Sequence, residues 1–244
     1  MLTPVSLAQE QASVRDLVRA YFYLTKPRIM TLLLITTLAA LLIAAREHPL
    51  SAAEFMRVLC ATMIGGALAS GGAAALNCYI DRDIDAVMNR TRRRALPAGL
   101  VQPWHVLLYG LALSVLAVFV LLAFVNPLAA LLALSGNVFY VVIYTMWLKR
   151  STSQNIVIGG AAGAIPPLVG WAAVTNDLAL PAVLLFVIIF AWTPAHFWAL
   201  ALLNRKDYSA AGVPMLPAVA GEQKTKRQIL LYTVLVVIST LLLY

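Results

Sequence analysis

Long apolar runs divide this 244-residue chain, and several of them reach the roughly 20 residues without a charge that a helix needs to cross a hydrocarbon core. The chain is 62% hydrophobic and 11% charged, whereas soluble domains average about 45–50% apolar and about 25% charged residues. This composition leaves too little polar surface for a soluble globule. We therefore predict an all-α fold, a polytopic bundle of transmembrane helices.

Seven membrane spans are predicted from the apolar runs between the charged connections. The stretch around Asn126-Pro127 is about twice as long as one crossing requires, which predicts a tight turn at this pair. The last run ends at Tyr244 without a flanking charge or a tail, and we infer that the chain is cut short there. The predicted spans are 29–45, 58–76, 107–125, 127–148, 156–174, 178–203 and 229–244.

Residues 1–25 form a segment of their own before the transmembrane domain, which is predicted to cover residues 26–244. Charges interrupt this segment, and it has no apolar core of about 7–15 residues, so it is not interpreted as a signal peptide. Several of its apolar side chains are predicted to share one face of a short interfacial helix. They are Val14, Leu17, Val18, Tyr21 and Phe22.

The basic residues predict the orientation of the bundle. Sixteen of the eighteen Lys and Arg residues fall in the N-terminal segment and in every second connection, and only Arg46 and Arg57 fall on the opposite side. The positive-inside bias then makes the N-terminus cytoplasmic, as in a bacterial inner membrane. The net charge of +8 is explained by this topology and by contact with the anionic lipid bilayer, so no nucleic-acid partner is predicted.

A stripe of three oxygen-bearing side chains follows the second span. Asn77, Asp81 and Asp85 recur every four residues, so on a helix they point the same way over two turns. Their oxygens suit Mg²⁺, which binds through one or two carboxylates together with substrate phosphates. We favour this stripe as a metal site over the alternative, a solvated loop helix whose acids balance nearby arginines. Asp83 is off the stripe and is predicted to pair with an arginine.

Basic residues at the same face are candidates for binding phosphate oxygens. Each also fits the usual placement of basic residues at cytoplasmic helix ends, and the two interpretations stay open. Asp207 lies at this face too, and is interpreted either as a further metal ligand or as a salt-bridge partner of Arg205 or Lys206. The phosphate candidates are Arg90, Lys149, Arg150 and Lys206.

The fifth span contains an unusual run of small residues and prolines between Gly159 and Pro167. Small residues let helices approach closely, and irregular backbone inside a membrane is tolerated where it lines a cavity. We favour close packing as the role of these glycines.

Taken together, the motifs resemble those of the UbiA superfamily of intramembrane prenyltransferases. Asn77-x3-Asp81-x3-Asp85, followed by Arg90-Thr91, is similar to the first aspartate-rich motif of that superfamily. Further stretches are similar to its haem-directed branch, the protohaem IX farnesyltransferases, and the similarity covers nearly all of residues 26–217. These stretches lie within residues 26–28, 144–160, 166–171, 196–201 and 206–215.

The resemblance implies an enzyme that transfers the farnesyl group of farnesyl diphosphate to a vinyl group of haem B, with Mg²⁺, to give haem O. It implies about nine spans in the full protein, and it implies catalytic or metal roles for the stripe and Asp207. Tyr144, His196 and Trp198 are implied substrate contacts, although a hydrogen bond to a neighbouring helix is an open alternative for His196. A haem A synthase or the terminal oxidase assembly is an implied partner.

Two other functions are weighed against this one. A related enzyme would prenylate an aromatic quinone precursor, but many such members have a second acid where this chain has Leu203. A transporter would need broken helices around a midplane site, whereas the acids here cluster at one face.

Overall fold

The computed structural model describes residues 13–243, and this part of the chain contains helices but no strands. We number the helices α1 to α11 in chain order. They are α1 Val14–Leu24, α2 Pro27–Glu47, α3 Ala52–Ile80, α4 Arg82–Val87, α5 Pro103–Phe124, α6 Pro127–Ser151, α7 Asn155–Thr175, α8 Leu180–Leu203, α9 Arg205–Ala210, α10 Leu216–Ala220 and α11 Glu222–Leu241.

Six of these helices are long and apolar enough to cross a membrane by length and composition, namely α2, α3, α5, α6, α7 and α8. The predicted all-α membrane fold is confirmed. The seventh apolar run lies in α11, whose first turns carry Glu222, Lys224 and Arg227. Residues 1–12 of the predicted N-terminal segment and the chain end at Tyr244 lie outside the described residues.

The long helices pack side by side in a ring. Helix α3 packs against α5 and α2, α7 packs against α2 and α6, and α5 contacts α6. Helix α8 packs on the other side of α7, and α11 covers α8. The short helices α4 and α9 follow α3 and α8 directly in the chain. Both lie at the same end of the bundle, because Asn89, which follows α4, donates a hydrogen bond to Asp207 of α9.

Glycines allow the closest helix contacts. A Cβ atom on Gly170 of α7 would lie 2.1 Å from the backbone oxygen of Thr37 in α2, and one on Gly72 of α3 would lie 2.8 Å from the Gly110 oxygen in α5. Only glycine fits where backbones approach this closely. Gly163, by contrast, has no neighbouring atom within 4 Å of such a position. Of the glycines predicted to allow close packing, Gly159 faces the ring of Tyr144 and Gly160 faces Thr193, whereas Gly163 faces open space. The packing interpretation therefore fits Gly159 and Gly160 but not Gly163.

The predicted turn between α5 and α6 is made by Asn126. Its side-chain oxygen accepts a hydrogen bond from the Ala129 amide at 2.8 Å, which caps α6, and its amide nitrogen donates to the Ala172 oxygen at 2.7 Å. Further along α6, the residues Phe139–Leu148 form a π-helix. Such wider turns are frequent at functional sites, and this one contains Tyr144 and Thr145.

Helix α1 is confirmed as a helix and begins at a capping box. Ser13 accepts a hydrogen bond from the Asp16 amide at 3.2 Å, and its own amide donates to the Asp16 carboxylate. Such a box satisfies two amide groups that the first turn would otherwise leave unpaired. The local sequence therefore defines the start of α1.

Candidate functional site

The predicted stripe is present although the helix is interrupted within it. Helix α3 ends at Ile80 and α4 begins at Arg82. Even so, the backbone amide of Asp81 donates to the backbone oxygen of Asn77 at 2.9 Å, and the backbone amide of Asp85 donates to the backbone oxygen of Asp81 at 2.8 Å. These bonds keep the four-residue spacing across the junction. The three side chains are buried, Asp81 with only 1% of its surface exposed. A solvated loop helix does not fit this burial.

Asn77 is held on both sides of its amide. Its nitrogen donates to Asp81 Oδ2 at 2.7 Å and to the Thr145 hydroxyl at 3.0 Å, and its oxygen accepts from the Lys26 ammonium at 2.6 Å. Three separate parts of the chain thus fix the Asn77 side chain, because Asp81 follows α3, Thr145 belongs to α6 and Lys26 precedes α2. The amide oxygen faces a cation, as a metal ligand would.

The two stripe carboxylates are each paired with a cation. Lys149 Nζ donates to Asp81 Oδ2, and Arg94 Nη1 lies 2.8 Å from Asp85 Oδ2. Within residues 13–243, however, Asp81 Oδ1 accepts no hydrogen bond, and Arg150 Nη2 lies 3.7 Å from it. A buried carboxylate oxygen normally has a partner, so this atom is available to a ligand.

Asp83 is off the stripe, as predicted, and its partner is Arg150. The guanidinium binds both carboxylate oxygens at 2.7 Å and also donates to the Ile80 oxygen at 3.0 Å. This bidentate pair holds the pKa of the exposed Asp83 carboxyl at about 2. Arg150 is therefore shared between Asp83 and the more distant Asp81.

Asp207 lies against the loop that follows α4. Its carboxylate accepts hydrogen bonds from the Asn89 side chain at 3.2 Å and from the Arg90 backbone amide at 3.4 Å. The Arg90 side chain donates to the Tyr208 hydroxyl at 3.0 Å. No ion pair of Asp207 occurs in the described part of the chain, so the predicted alternative of a salt bridge to Arg205 or Lys206 is not observed.

The donor atoms at the stripe fit Mg²⁺ only if other ligands complete the coordination. Between residues 13 and 243, no three His, Cys, Asp or Glu side chains are grouped to hold a metal by themselves. Mg²⁺ is usually bound by one or two carboxylates with waters and substrate phosphates rather than by an all-protein cage. The unpartnered Asp81 oxygen, on the same stripe as Asn77 and Asp85, is a donor set of this incomplete kind.

Residues 33–244 match the UbiA prenyltransferase family. The chain belongs to this family. Relatives named protohaem IX farnesyltransferase are 61% identical in Gloeobacter violaceus, 53% in Synechocystis sp. and 56% in Symbiobacterium thermophilum. The alignments cover 92%, 100% and 97% of this chain and 72%, 75% and 78% of those proteins. The chain is a prenyltransferase, and the resemblance predicted from its motifs is confirmed.

Solved structures of UbiA proteins share the fold at low sequence identity. A UbiA homolog from Archaeoglobus fulgidus bound to DMAPP and Mg²⁺ is 15% identical with a TM-score of 0.73, and the match covers 90% of this chain and 75% of that one. The structure of a digeranylgeranylglyceryl phosphate synthase is 19% identical with a TM-score of 0.71, covering 91% and 75%. The helical ring is therefore the UbiA fold.

Tyr144 is the predicted substrate contact that the UbiA bundle brings close to the stripe. Its ring packs on the cluster that includes Ile84 of α4 and Met88, which follows α4, and it stacks on Tyr140 with ring centroids 5.5 Å apart. A Cβ atom on Gly159 would lie within the contact distance of this ring. The glycine thus makes room for Tyr144 beside the helix that carries Asp85.

The other predicted substrate contacts lie apart from the stripe. His196 stacks on Trp192 with ring centroids 4.3 Å apart. Trp198 is buried and meets Tyr232 of α11 edge to face, with ring centroids 5.5 Å apart. Lys206 is exposed in α9. None of these three contacts a stripe residue within the described range, and their roles in substrate binding stay predictions.

Three residues at this UbiA site were not predicted as site residues from the sequence: Lys26, Arg94 and Thr145. Lys26 directly precedes the proline that starts α2, and its backbone is left-handed with φ of 51°. Thr145 is a polar residue within a predicted span, a position where polar side chains are usually functional, and this signal was present in the sequence. Arg94 was grouped with the basic residues that set topology.

Proposed function

We propose that this UbiA prenyltransferase transfers the farnesyl group of farnesyl diphosphate to a vinyl group of haem B, with Mg²⁺. The allylic C–O bond breaks and diphosphate leaves, the farnesyl carbon bonds to one vinyl carbon, and water adds its oxygen to the other vinyl carbon and loses a proton, which gives haem O. Relatives that are 52–61% identical over most of the chain are named protohaem IX farnesyltransferase, which supports this choice of substrates. The observation that carries the proposal is the buried stripe with an unpartnered Asp81 oxygen, surrounded by cations.

The chemistry requires stabilisation of the leaving group. Breaking the allylic C–O bond leaves negative charge on diphosphate, and bound Mg²⁺ would neutralise part of that charge in the transition state. Asn77, Asp81 and Asp85 would hold the metal, with Asp207 as a further ligand from the opposite side. Because Asn77, Asp81 and Asp85 are buried and hydrogen-bonded, these three side chains need little reorganisation when the substrate arrives.

Cations beside the stripe have two tasks in this proposal. Before substrate binds, Lys149 and Arg94 neutralise the buried carboxylates, which alone would be costly in a site without water. When the diphosphate is bound, the same side chains are close enough to the carboxylates to donate to phosphate oxygens. Arg150 and Arg90 are further candidates for this role, and Lys26 joins them through its contact with Asn77.

Aromatic side chains would protect the allylic cation. Tyr140 and Tyr144 of α6 stack on each other. An aromatic face attracts a nearby cation. Excluding water prevents the cation from being quenched before the acceptor reacts. The haem acceptor would approach the same cation, and His196 or Trp198 would contact it from α8.

The two rival functions are less well supported. The relatives described above are named for a haem acceptor and not for an aromatic quinone precursor, and this chain has Leu203 where many quinone-directed members have a second acid. A transporter does not fit either, because the buried acids lie at one end of the ring, where α3 meets α4.

We also propose that the end of the bundle with the stripe faces the cytoplasm of a bacterial cell, with the N-terminus on that side. The distribution of Lys and Arg supports this orientation. The released haem O would pass to a haem A synthase or to the terminal oxidase assembly, since a hydrophobic product in the bilayer needs an acceptor there.

Incubation of the reconstituted protein with haem B, farnesyl diphosphate and Mg²⁺ tests the proposal. Haem O should be detected by chromatography and mass spectrometry, and omission of Mg²⁺ should abolish it. Parallel reactions with an aromatic quinone precursor should give no prenylated product. A protein that prenylates the quinone precursor but not haem B would establish the rival function instead.

Replacement of Lys149 tests the role of the cations. Lys149→Gln should lower the rate of prenyl transfer by about a hundredfold, because one charge-assisted hydrogen bond to the leaving group is lost and Asp81 loses its partner. The matched control is Lys224→Gln, an exposed lysine of α11 at the same end of the bundle. The rate is measured under saturating Mg²⁺, and equal rates in both variants would remove Lys149 from the site.

Replacement of Asp207 tests whether the opposite acid serves the metal. Asp207→Asn should raise the Mg²⁺ concentration for half-maximal rate about tenfold, since a second carboxylate strengthens binding of a hard cation. Asp177→Asn, an exposed acid after α7, is the control for the charge change. If Asp207→Asn lowers the rate but leaves the Mg²⁺ dependence unchanged, Asp207 positions the Arg90 loop and is not a ligand.

A further inference from the structure

Helix α1 exposes an apolar stripe that the bundle does not cover. Val14, Val18 and Phe22 are 79%, 65% and 54% exposed, and their four-residue spacing places them along one side of the helix. The adjoining side is packed, because Ala20 and Leu24 are buried against the cluster that contains Leu96, Val101 and Val106, and Leu17 and Tyr21 are partly buried on it. The predicted common apolar face of α1 is therefore divided, since Leu17 and Tyr21 attach the helix to the bundle while Val14, Val18 and Phe22 are left exposed.

Two arginines border this stripe. At 100° per residue, Arg15 and Arg19 lie next to Val14, Val18 and Phe22 on the side away from the packed face. Both are exposed. A helix with an apolar strip edged by cations matches the boundary between acyl chains and anionic headgroups. Further exposed arginines lie close in sequence to the elements that α1 contacts, namely Arg28, Arg92 and Arg93.

The connection between α1 and α2 is short and is held by hydrogen bonds. Thr25 donates to the Phe22 oxygen through its hydroxyl at 2.7 Å, and the Lys26 amide donates to the Tyr23 oxygen at 3.1 Å. The Lys26 oxygen then accepts from Ile29 at 3.0 Å to start α2. Only Thr25 and Lys26 separate the two helices, and both are fixed by hydrogen bonds.

This short connection is seated on the helix that carries Asn77. A Cβ atom on Gly71 of α3 would lie 3.2 Å from Thr25 Cβ, so the connection touches α3 two turns before Asn77. Lys26 itself adopts the left-handed conformation, which is unfavourable for a non-glycine residue, and its ammonium donates to Asn77 Oδ1 at 2.6 Å. A shift of α1 would therefore move Lys26 at the site.

We propose that α1 docks on the anionic surface of the bilayer, with Val14, Val18 and Phe22 among the acyl chains and Arg15 and Arg19 at the headgroups, and that this docking holds Lys26 against Asn77. The partner is an anionic phospholipid surface, chosen for its charge complementarity to the arginine edge. The lipid contact stands independently of the reaction, while the effect on Lys26 rests on the proposed function. Activity should then depend on the lipid charge.

Nitroxide labelling in nanodiscs tests the lipid contact. The full chain carries Val18→Cys, with Cys60 and Cys78 replaced by alanine, and the label's accessibility to oxygen and to a water-soluble nickel chelate is measured. In discs that contain phosphatidylglycerol, oxygen should reach the label much better than nickel. Arg15→Gln with Arg19→Gln should weaken surface binding of α1 roughly thirtyfold, at about 1 kcal/mol for each basic residue, and shift the label towards nickel.

The matched control removes the same charge from the same end of the bundle. Lys224→Gln with Arg227→Gln, both exposed in α11, should leave the label at position 18 in lipid. If the nickel chelate reaches the label at position 18 in anionic discs while Arg15 and Arg19 are present, the proposal is wrong. It is also wrong if the control pair shifts the label towards nickel as much as the Arg15/Arg19 variant does. If the exposed face of α1 binds a protein partner instead of lipid, the nickel chelate should reach the label.

The same discs report on Lys26 through the rate. Prenyl transfer should be several times faster in anionic than in zwitterionic discs, and the Arg15/Arg19 variant should lose this difference while the control keeps it. A lipid-buried label with no rate difference would overturn the coupling to Lys26. If no disc shows prenyl transfer, the proposed function fails, and the label measurement still decides whether α1 binds anionic lipid.

Discussion

Asp81→Asn is expected to lower the rate of prenyl transfer by roughly a thousandfold or more, with the protein still inserted and folded. The substitution keeps the shape of the side chain but removes the charge that would bind the metal at the unpartnered oxygen. The rate of haem O formation is compared at equal amounts of protein, and size-exclusion chromatography with circular dichroism confirms that the variant is folded.

Asp83→Asn is the control for this experiment. It removes the same charge two residues away, but Asp83 is exposed and paired with Arg150 outside the stripe. We expect a loss of about tenfold or less, because the exposed ion pair contributes little. If Asp81→Asn keeps Mg²⁺-dependent turnover similar to that of Asp83→Asn, the stripe does not bind the metal.

Gly170→Ala is expected to have the largest effect on stability. The added Cβ atom would meet the Thr37 oxygen and the Leu41 amide nitrogen of α2 at 2.1 and 3.1 Å. These atoms belong to backbone and cannot turn aside, so α2 and α7 must separate. Forcing atoms into packed helices commonly costs about 1–3 kcal/mol, occasionally more, and we expect the upper end. Thermal unfolding in nanodiscs should show a clearly lower midpoint.

Gly163→Ala, on the same helix, is the matched control. No atom lies within 4 Å of the added group, and alanine favours a helix over glycine by about 1 kcal/mol. Its unfolding midpoint should therefore be equal to that of the unaltered protein or higher. Equal destabilisation by both changes would mean that the contact between α2 and α7 is not as close as described.

Most of the fold was predictable because membrane spans follow from local composition. An apolar run of sufficient length must be helical in lipid, and this argument placed the ends of the six long helices to within about four residues, except that α3 begins six residues before the predicted span. The π-helical turn around Thr145 was not predictable, since it depends on contacts with α3 and α7. The glycine contacts were only partly predictable, because sequence cannot tell which glycine faces a backbone.

The candidate site was also predictable only in part. The spacing of Asn77, Asp81 and Asp85 was sufficient to predict one stripe, because helical geometry repeats every turn. The partners of these residues come from distant parts of the chain, and net charge does not reveal them. Lys26 was therefore missed, and Lys149 and Arg150 were placed at the right face without their different partners, Asp81 and Asp83.

A structure of the protein with Mn²⁺ in place of Mg²⁺ and an unreactive farnesyl thiodiphosphate tests the central claim most directly. Anomalous scattering should locate the metal beside Asp81 Oδ1, with Asp85 and Asn77 near it, and should show Lys149 donating to the diphosphate. A metal and diphosphate bound away from these residues, with Lys149 still on Asp81, would contradict the account.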